Sequence, residues 1–309
     1  MRFRRILLPA LALCGLTAAQ PVAAQPVYMA LGDSVAYGYT NTLNVSNGDQ
    51  GYVAPFADFL GGTFYGGVRP KVDNLAISGE TAAAFAGLAP NNAAGVAANT
   101  NYSTPLVGPN GTMTPESAAF FQAVSYEEAQ GNTIADVSLS IGADDAFAAF
   151  ANNPALTKSD IDALINGIGT EETSFLSSLR AVLPNTQVLL LNYYDPFPTY
   201  ATPTTPDQAL SNALSGLASY ANMDYTNVQE GLAATYGARF VDISGMPPSD
   251  TFILDPSTPF PTGVHPNAAG YQYIARQMDQ TVTVPESGAW ALLALGLPLI
   301  GMMAWKRKA

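Results

Sequence analysis

Cysteine and histidine are almost absent from this 309-residue chain, which has one of each, Cys14 and His265. Cys14 lies in an apolar stretch near the N-terminus. The rest of the chain can therefore form no disulfide, supplies no thiolate nucleophile and offers no thiolate metal site. A single histidine excludes the paired-histidine zinc motifs. A carboxylate calcium site stays open, although no acidic loop, Asn47-Gly48-Asp49 included, has the EF-hand spacing. No motif calls for a cofactor. Positive charge is scarce too, with 12 Lys and Arg against 24 Asp and Glu. Arg2, Arg4, Arg5, Lys306, Arg307 and Lys308 stand at the two ends, so the middle keeps half the basic residues and every acidic one except Glu286. A surface of that sign repels nucleic acid and anionic membrane, and no nucleic-acid partner is expected.

Both ends look like addresses. Arg2, Arg4 and Arg5 precede an uncharged stretch from Ile6 to Ala19, then small residues through Val22-Ala23-Ala24. This order matches a signal peptide over residues 1–24, cleaved after Ala24 or alternatively after Ala19 by signal peptidase. At the other end, Val284-Pro285-Glu286-Ser287 leads into the uncharged run Gly288–Ala304, followed by Lys306-Arg307-Lys308. The run is shorter than the about 20 apolar residues of a spanning helix and contains Pro298, so it is at most a weak anchor. Residues 284–309 resemble the PEP-CTERM sorting signal of Gram-negative bacteria. That resemblance implies processing by an exosortase and membrane contact only through this segment. The protein is then expected to be exported across the inner membrane, to the periplasm, cell surface or medium.

Residues 25–283 are long enough for one sizeable domain. Val27–Leu31, Lys71–Ile77, Ile134–Ile141, Gln187–Leu191 and Arg239–Ile243 read as strands, and Gln187–Leu191 has the continuous apolar character of a strand covered on both faces. Helices are expected from Tyr52 to a stop at Gly61-Gly62, near Pro115–Gln130, through Ile161–Val182, over Asp207–Tyr236, and after His265 with Pro266 in the first turn. Residues 82–130 read as an insertion over one face. Alternating strands and helices imply an α/β fold with a parallel sheet. Ligands of such sheets bind at the carboxyl ends of the strands. Ser34, Gly79, Gly142–Asp145 and Asp195 each follow a predicted strand, and His265 follows the last one, so all can share one edge.

A serine hydroxyl is a weak nucleophile until a base takes its proton. With one histidine in the chain, Ser34 can pair only with His265 if a histidine is that base. The four segments that carry these residues resemble the SGNH, or GDSL, hydrolase superfamily over about Val27–Met278. Gly32-Asp33-Ser34 is similar to its first block, which implies that Ser34 is the nucleophile. Asn74–Gly79 is similar to the second, whose glycine amide helps form the oxyanion hole. Ser138–Asp145 is similar to the third, and Val264–Gly270 to the last, which carries the base. The Gly-x-Ser-x-Gly elbow of α/β-hydrolases is absent. The resemblance implies a flavodoxin-like three-layer α/β/α fold with a mainly parallel five-stranded sheet. It also implies ester hydrolysis through a Ser-His acyl-enzyme, on a small-molecule ester or an acylated saccharide.

Two positions depart from the family pattern. Asp144 stands where an asparagine donates to the oxyanion, and an ionised carboxylate cannot donate. It serves only if protonated, through burial or through neighbouring Asp145; otherwise the amides of Ser34 and Gly79 act alone. Thr262 stands where an aspartate orients the histidine, with Asp255 or a backbone carbonyl as substitutes. The expected function is a secreted serine esterase or lipase. The alternatives are a carbohydrate O-acetyl esterase acting on exopolysaccharide and a non-catalytic surface protein on a degenerate fold of this type.

Overall fold

A computed structural model describes residues 24–39, 51–98, 114–153, 155–247 and 263–282. The segments read as signal peptide and sorting signal lie almost wholly outside these residues. Among the described residues no helix is long and apolar enough to cross a membrane.

Five strands form one sheet: β1 (Pro26–Gly32), β2 (Lys71–Asn74), β3 (Thr133–Ser140), β4 (Gln187–Leu191) and β5 (Arg239–Val241). Their order is β2-β1-β3-β4-β5, and every pairing is parallel. This is the flavodoxin-like order, whose direction of winding reverses between β1 and β3. The helices are α1 (Ser34–Tyr37), α2 (Val53–Thr63), α3 (Ala82–Phe85), α4 (Ala93–Ala98), α5 (Glu116–Ala129), α6 (Ala143–Asn152), α7 (Lys158–Val182), α8 (Pro206–Tyr236) and α9 (Ala268–Thr281).

The strands bury both faces, and side chains alternate between two cores. Val27, Met29 and Leu31 join Val188 and Leu190 in one core, under Phe85, Phe120, Phe175 and Leu176 of α3, α5 and α7. Tyr28, Ala30, Leu189 and Leu191 join the other, under Phe56 of α2 and Ile274 and Met278 of α9. Two continuous apolar layers on one parallel sheet account for the three-layer fold. On the β1–β3 seam Tyr28 Oη and Ser138 Oγ are 2.8 Å apart.

Two boundaries differ from the sequence expectation. Helix α2 does not stop at Gly61-Gly62 but continues to Thr63. Gly61 is there for close approach, because a Cβ would lie 2.8 Å from Arg69 Cα. Pro266 is not in the first turn of α9. Asn267 is the N-cap, its Oδ1 accepting from the amides of Ala269 (2.8 Å) and Gly270 (3.1 Å). Within 82–130, α5 is a core element, with Phe120 and Val124 packed against the sheet between β2 and β3 in the chain. Residues 99–113 of that segment lie outside the described residues.

Candidate active site

Strand β1 ends in a turn that only glycine can make. Gly32 has φ 126°, and a Cβ there would sit 1.8 Å from the Ser140 carbonyl oxygen of β3. That tight approach lets the Asp33 amide donate to the same oxygen at 3.0 Å. The Gly32 amide donates to Glu116 Oε1 at 2.8 Å, so α5 braces the turn from below. Asp33 then N-caps α1, its Oδ1 accepting from the Val35 amide at 2.9 Å. Ser34 is the first residue of α1, fixed at the carboxyl edge of the sheet.

His265 arrives from the far end of the chain. Its Nε2 lies 2.9 Å from Ser34 Oγ, across 231 positions of sequence. The hydroxyl of Tyr194 donates to the Val264 carbonyl at 2.7 Å and pins the residue before the histidine. The Tyr39 ring tilts against the imidazole at 4.3 Å between centroids, and the Tyr271 hydroxyl of α9 holds the Tyr39 carbonyl at 2.8 Å. Both Ser34 and His265 are largely buried, yet both line a cavity of about 120 Å³.

Gly79 reaches the same edge. Beyond β2 the backbone keeps running beside β1, with Leu75 donating to Ala30 at 2.8 Å and Ile77 to Gly32 at 2.9 Å. Gly79 has φ 79°, and a Cβ would lie 2.2 Å from Asn92 Nδ2, which itself donates to the Ser78 carbonyl. After β3, Gly142 (φ 120°) turns the chain into α6, and Gly142 and Ala143 line the cavity beside Ser34.

Asp144 follows, in the first turn of α6. Its Oδ2 is buried without a hydrogen-bond partner. Burial, then the charges of Asp33, Asp145 and Glu80, hold its carboxyl well above the usual range. The whole region is acidic and short of cations. Burial pushes Asp33 up to about 7 despite hydrogen bonds from Tyr193 and Val35, and Glu80 up to about 7. Asp145 is pushed up to about 6 by burial, against the Ala82 amide that it accepts at 2.8 Å. Glu116 is raised well above its ordinary value, by burial first and then by Glu80. Among the described residues no group of acidic side chains is arranged to hold a metal ion.

Ser34 and His265 thus meet at the cavity, whereas Gly79 and Asp144 follow β2 and β3 at the same edge of the sheet without lining it. Thr262 and Asp255 lie outside the described residues. Asp195, also expected at this edge, serves the loop after β4. Its Oδ1 accepts from the Phe197 amide at 2.9 Å and its Oδ2 from the Ser215 hydroxyl at 2.5 Å. Sequence reasoning missed Tyr193, Tyr194 and Tyr39. The first two directly follow Asn192 at the end of β4, and that position was their only signal.

A family model described as the GDSL-like lipase/acylhydrolase family matches residues 30–273. Several solved structures are similar in fold. The lipase Lip_vut3 from a goat rumen metagenome is 13% identical over 83% of this chain and 97% of its own, with a TM-score of 0.51. An extracellular lipase from Streptomyces rimosus is 15% identical over 84% of this chain and 100% of its own, at 0.49. An acetylxylan esterase from Geobacillus stearothermophilus is 16% identical over 86% and 97%, at 0.46. No curated protein sequence shows significant similarity to this one.

Proposed function

Because the chain belongs to the GDSL-like lipase/acylhydrolase family and is an ester hydrolase, we propose that it is an exported serine esterase or lipase working through an acyl-enzyme on Ser34. The observation that carries this reading is the 2.9 Å contact between Ser34 Oγ and His265 Nε2 at the mouth of a cavity.

In this mechanism Ser34 Oγ attacks the ester carbonyl carbon while Nε2 of His265 takes the hydroxyl proton. The carbonyl oxygen becomes an oxyanion held by the backbone amides of Ser34 and Gly79. Asp144 joins them as a neutral acid, its retained proton donating where an ionised carboxylate would repel. The tetrahedral centre collapses, the carbon–alkoxide bond breaks, and His265 returns its proton to the departing alcohol. Water then attacks the acyl-enzyme with His265 again as base, releasing the carboxylic acid and restoring Ser34. Thr262, Asp255 or a backbone carbonyl orients the imidazole.

Residues 1–24 direct export and are removed by signal peptidase. Residues 284–309 are the sorting segment processed by an exosortase, and give the only membrane contact. Steady-state hydrolysis of p-nitrophenyl butyrate tests the chemistry. Ser34→Ala should lose essentially all turnover, and the parent rate should climb with pH across the imidazole range, about pH 5–8. Substantial turnover by Ser34→Ala, or a flat profile over that range, would overturn the mechanism.

A further inference from the structure

Tyr225 of α8 sets its hydroxyl against two acceptors at once. The oxygen lies 2.6 Å from the Ile141 carbonyl and 3.0 Å from Glu172 Oε1. A phenol carries one proton. The shorter contact takes it, because two lone-pair oxygens that close would repel. The longer contact then needs a proton from the Glu172 side, and a carboxyl supplies one only when it is neutral. Gln229 Nε2 donates to both Glu172 oxygens, at 2.8 and 2.7 Å, and holds the carboxyl in place.

The surroundings keep that carboxyl neutral. Glu172 and Gln229 are buried where α7 meets α8. Gly169, three residues earlier on α7, admits α8 closely, since a Cβ there would lie 2.8 Å from Val228 Cγ1. The charges that bear on Glu172 are Asp145 of α6 and Glu171 of its own helix, both acidic. Helix α3, also packed on α7, carries no ionisable side chain. Burial pushes Glu172 up to about 8, with Asp145 and Glu171 adding to the rise and the bonds to Gln229 and Tyr225 opposing it.

What the Tyr225 proton holds is the turn beside the nucleophile. Ile141 is followed by Gly142 and Ala143, which line the cavity together with Ser34 and Tyr225. The Ala143 amide donates to Asp33. Tyr193, whose ring centroid lies 5.9 Å from that of Tyr225, donates to the same carboxyl. Two neighbouring tyrosines thus fasten this turn, one through Asp33 and one at the Ile141 carbonyl.

Resting on the acyl-enzyme reading, we propose that Tyr225 and Glu172 are positioning residues for that chemistry: neutral Glu172 donates to the Tyr225 hydroxyl, which keeps its own proton on the Ile141 carbonyl and holds the 141–143 turn against Ser34. Ionised Glu172 must accept instead. The Tyr225 proton then turns to it, the Ile141 carbonyl loses its donor, and the turn slackens. Hydrolysis therefore falls on the alkaline side through a carboxyl that lies behind the cavity.

The test is the pH profile of kcat for p-nitrophenyl butyrate, with the full-length parent and two variants. The parent should lose about tenfold in a step near pH 8, the worth of about one hydrogen bond. Glu172→Gln should keep the neutral rate and remove the step. Its amide donates to Tyr225 at every pH, and the second N–H can meet Gln229 Oε1, which is buried without a hydrogen-bond partner. Tyr225→Phe should lower kcat about tenfold already at pH 7, with KM within about twofold because the ring remains. It should also lack the step although Glu172 still titrates. A step that persists in Glu172→Gln, or an unchanged kcat in Tyr225→Phe, would overturn the proposal. Carboxyl-carbon NMR of isotope-labelled glutamates in the full chain separates the pair from the chemistry. The resonance lost in Glu172→Gln should be in its acid form at pH 7. That result supports the proton assignment even if Ser34 takes no fluorophosphonate and the acyl-enzyme reading fails. A carboxylate at pH 7 overturns the proposal even if hydrolysis is fast.

Discussion

The hydroxyl of Tyr193 donates to the carboxyl of Asp33, tying the end of β4 to the residue before Ser34 across 160 positions of sequence. Asp33 is fully buried, and this bond opposes the rise that burial imposes on it. Tyr193→Phe should remove about 1–3 kcal/mol of stability, the usual cost of stripping a buried acceptor of its donor. It should also push Asp33 further above about 7. Since an ionised carboxylate needs the donor more than a neutral one, the loss should be larger at pH 8 than at pH 5. Urea unfolding at the two pH values checks this, and an equal loss at both would contradict it.

Stability should decline as pH rises through the neutral range. Asp33 and Glu80 are raised to about 7 and Glu172 to about 8, each chiefly by burial. Below the ordinary carboxylate range these groups are protonated in both folded and unfolded chains, so they impose no difference. As pH rises past that range the unfolded chain releases its protons first, and its free energy falls relative to that of the folded one. The loss of stability continues until the folded groups ionise, near pH 7–8. The melting temperature should therefore be higher at pH 5 than at pH 8. Glu172→Gln removes one titrating group from a pocket where Gln229 donates to its two oxygens at 2.8 and 2.7 Å and the Tyr225 hydroxyl lies 3.0 Å away, and should narrow that difference. An unchanged difference would remove Glu172 from the account.

Asp144 supplies the third expectation. With the carboxyl neutral, Asp144→Asn replaces one hydrogen-bond donor by another. Activity near pH 7 should be kept, and activity at pH 9 should rise relative to the parent, whose carboxyl is then closer to ionising. Asp144→Ala removes the donor and should cost about 10²–10³ in kcat. Equal rates for parent and Asp144→Ala at pH 7 would exclude it from the oxyanion site.

Much of this was legible before any coordinates. Two-sided apolar strands such as Gln187–Leu191 announce a covered parallel sheet, and one histidine leaves Ser34 a single histidine partner. Other features were hidden for physical reasons. Gly61-Gly62 has the composition of a helix end, but whether a glycine ends a helix or admits a neighbour depends on Arg69, eight positions on. Tyr193 and Tyr194 are aromatics beside an apolar run, the usual signature of core. Their catalytic-edge contacts run to Asp33 and Val264, at sequence distances of 160 and 70 that no local pattern spans.

The turn under the nucleophile gives a sharper test of the fold. Gly32→Ala places a Cβ 1.8 Å from the Ser140 oxygen at a φ of 126°. Left-handed strain alone costs about 1–3 kcal/mol, and the clash adds displacement of β3. A loss of at least about 3 kcal/mol is expected by chemical denaturation, with Ser34 and His265 drawn apart and esterase activity lost. A variant of parental stability and rate would show that the turn is looser than its geometry.

The central claim is that His265 activates Ser34. Its most direct test is intact-mass analysis of the purified protein after a fluorophosphonate probe, with Ser34→Ala alongside. One covalent adduct on the parent and none on Ser34→Ala is the expected result. No adduct on the folded parent, or an adduct that persists on Ser34→Ala, would contradict it.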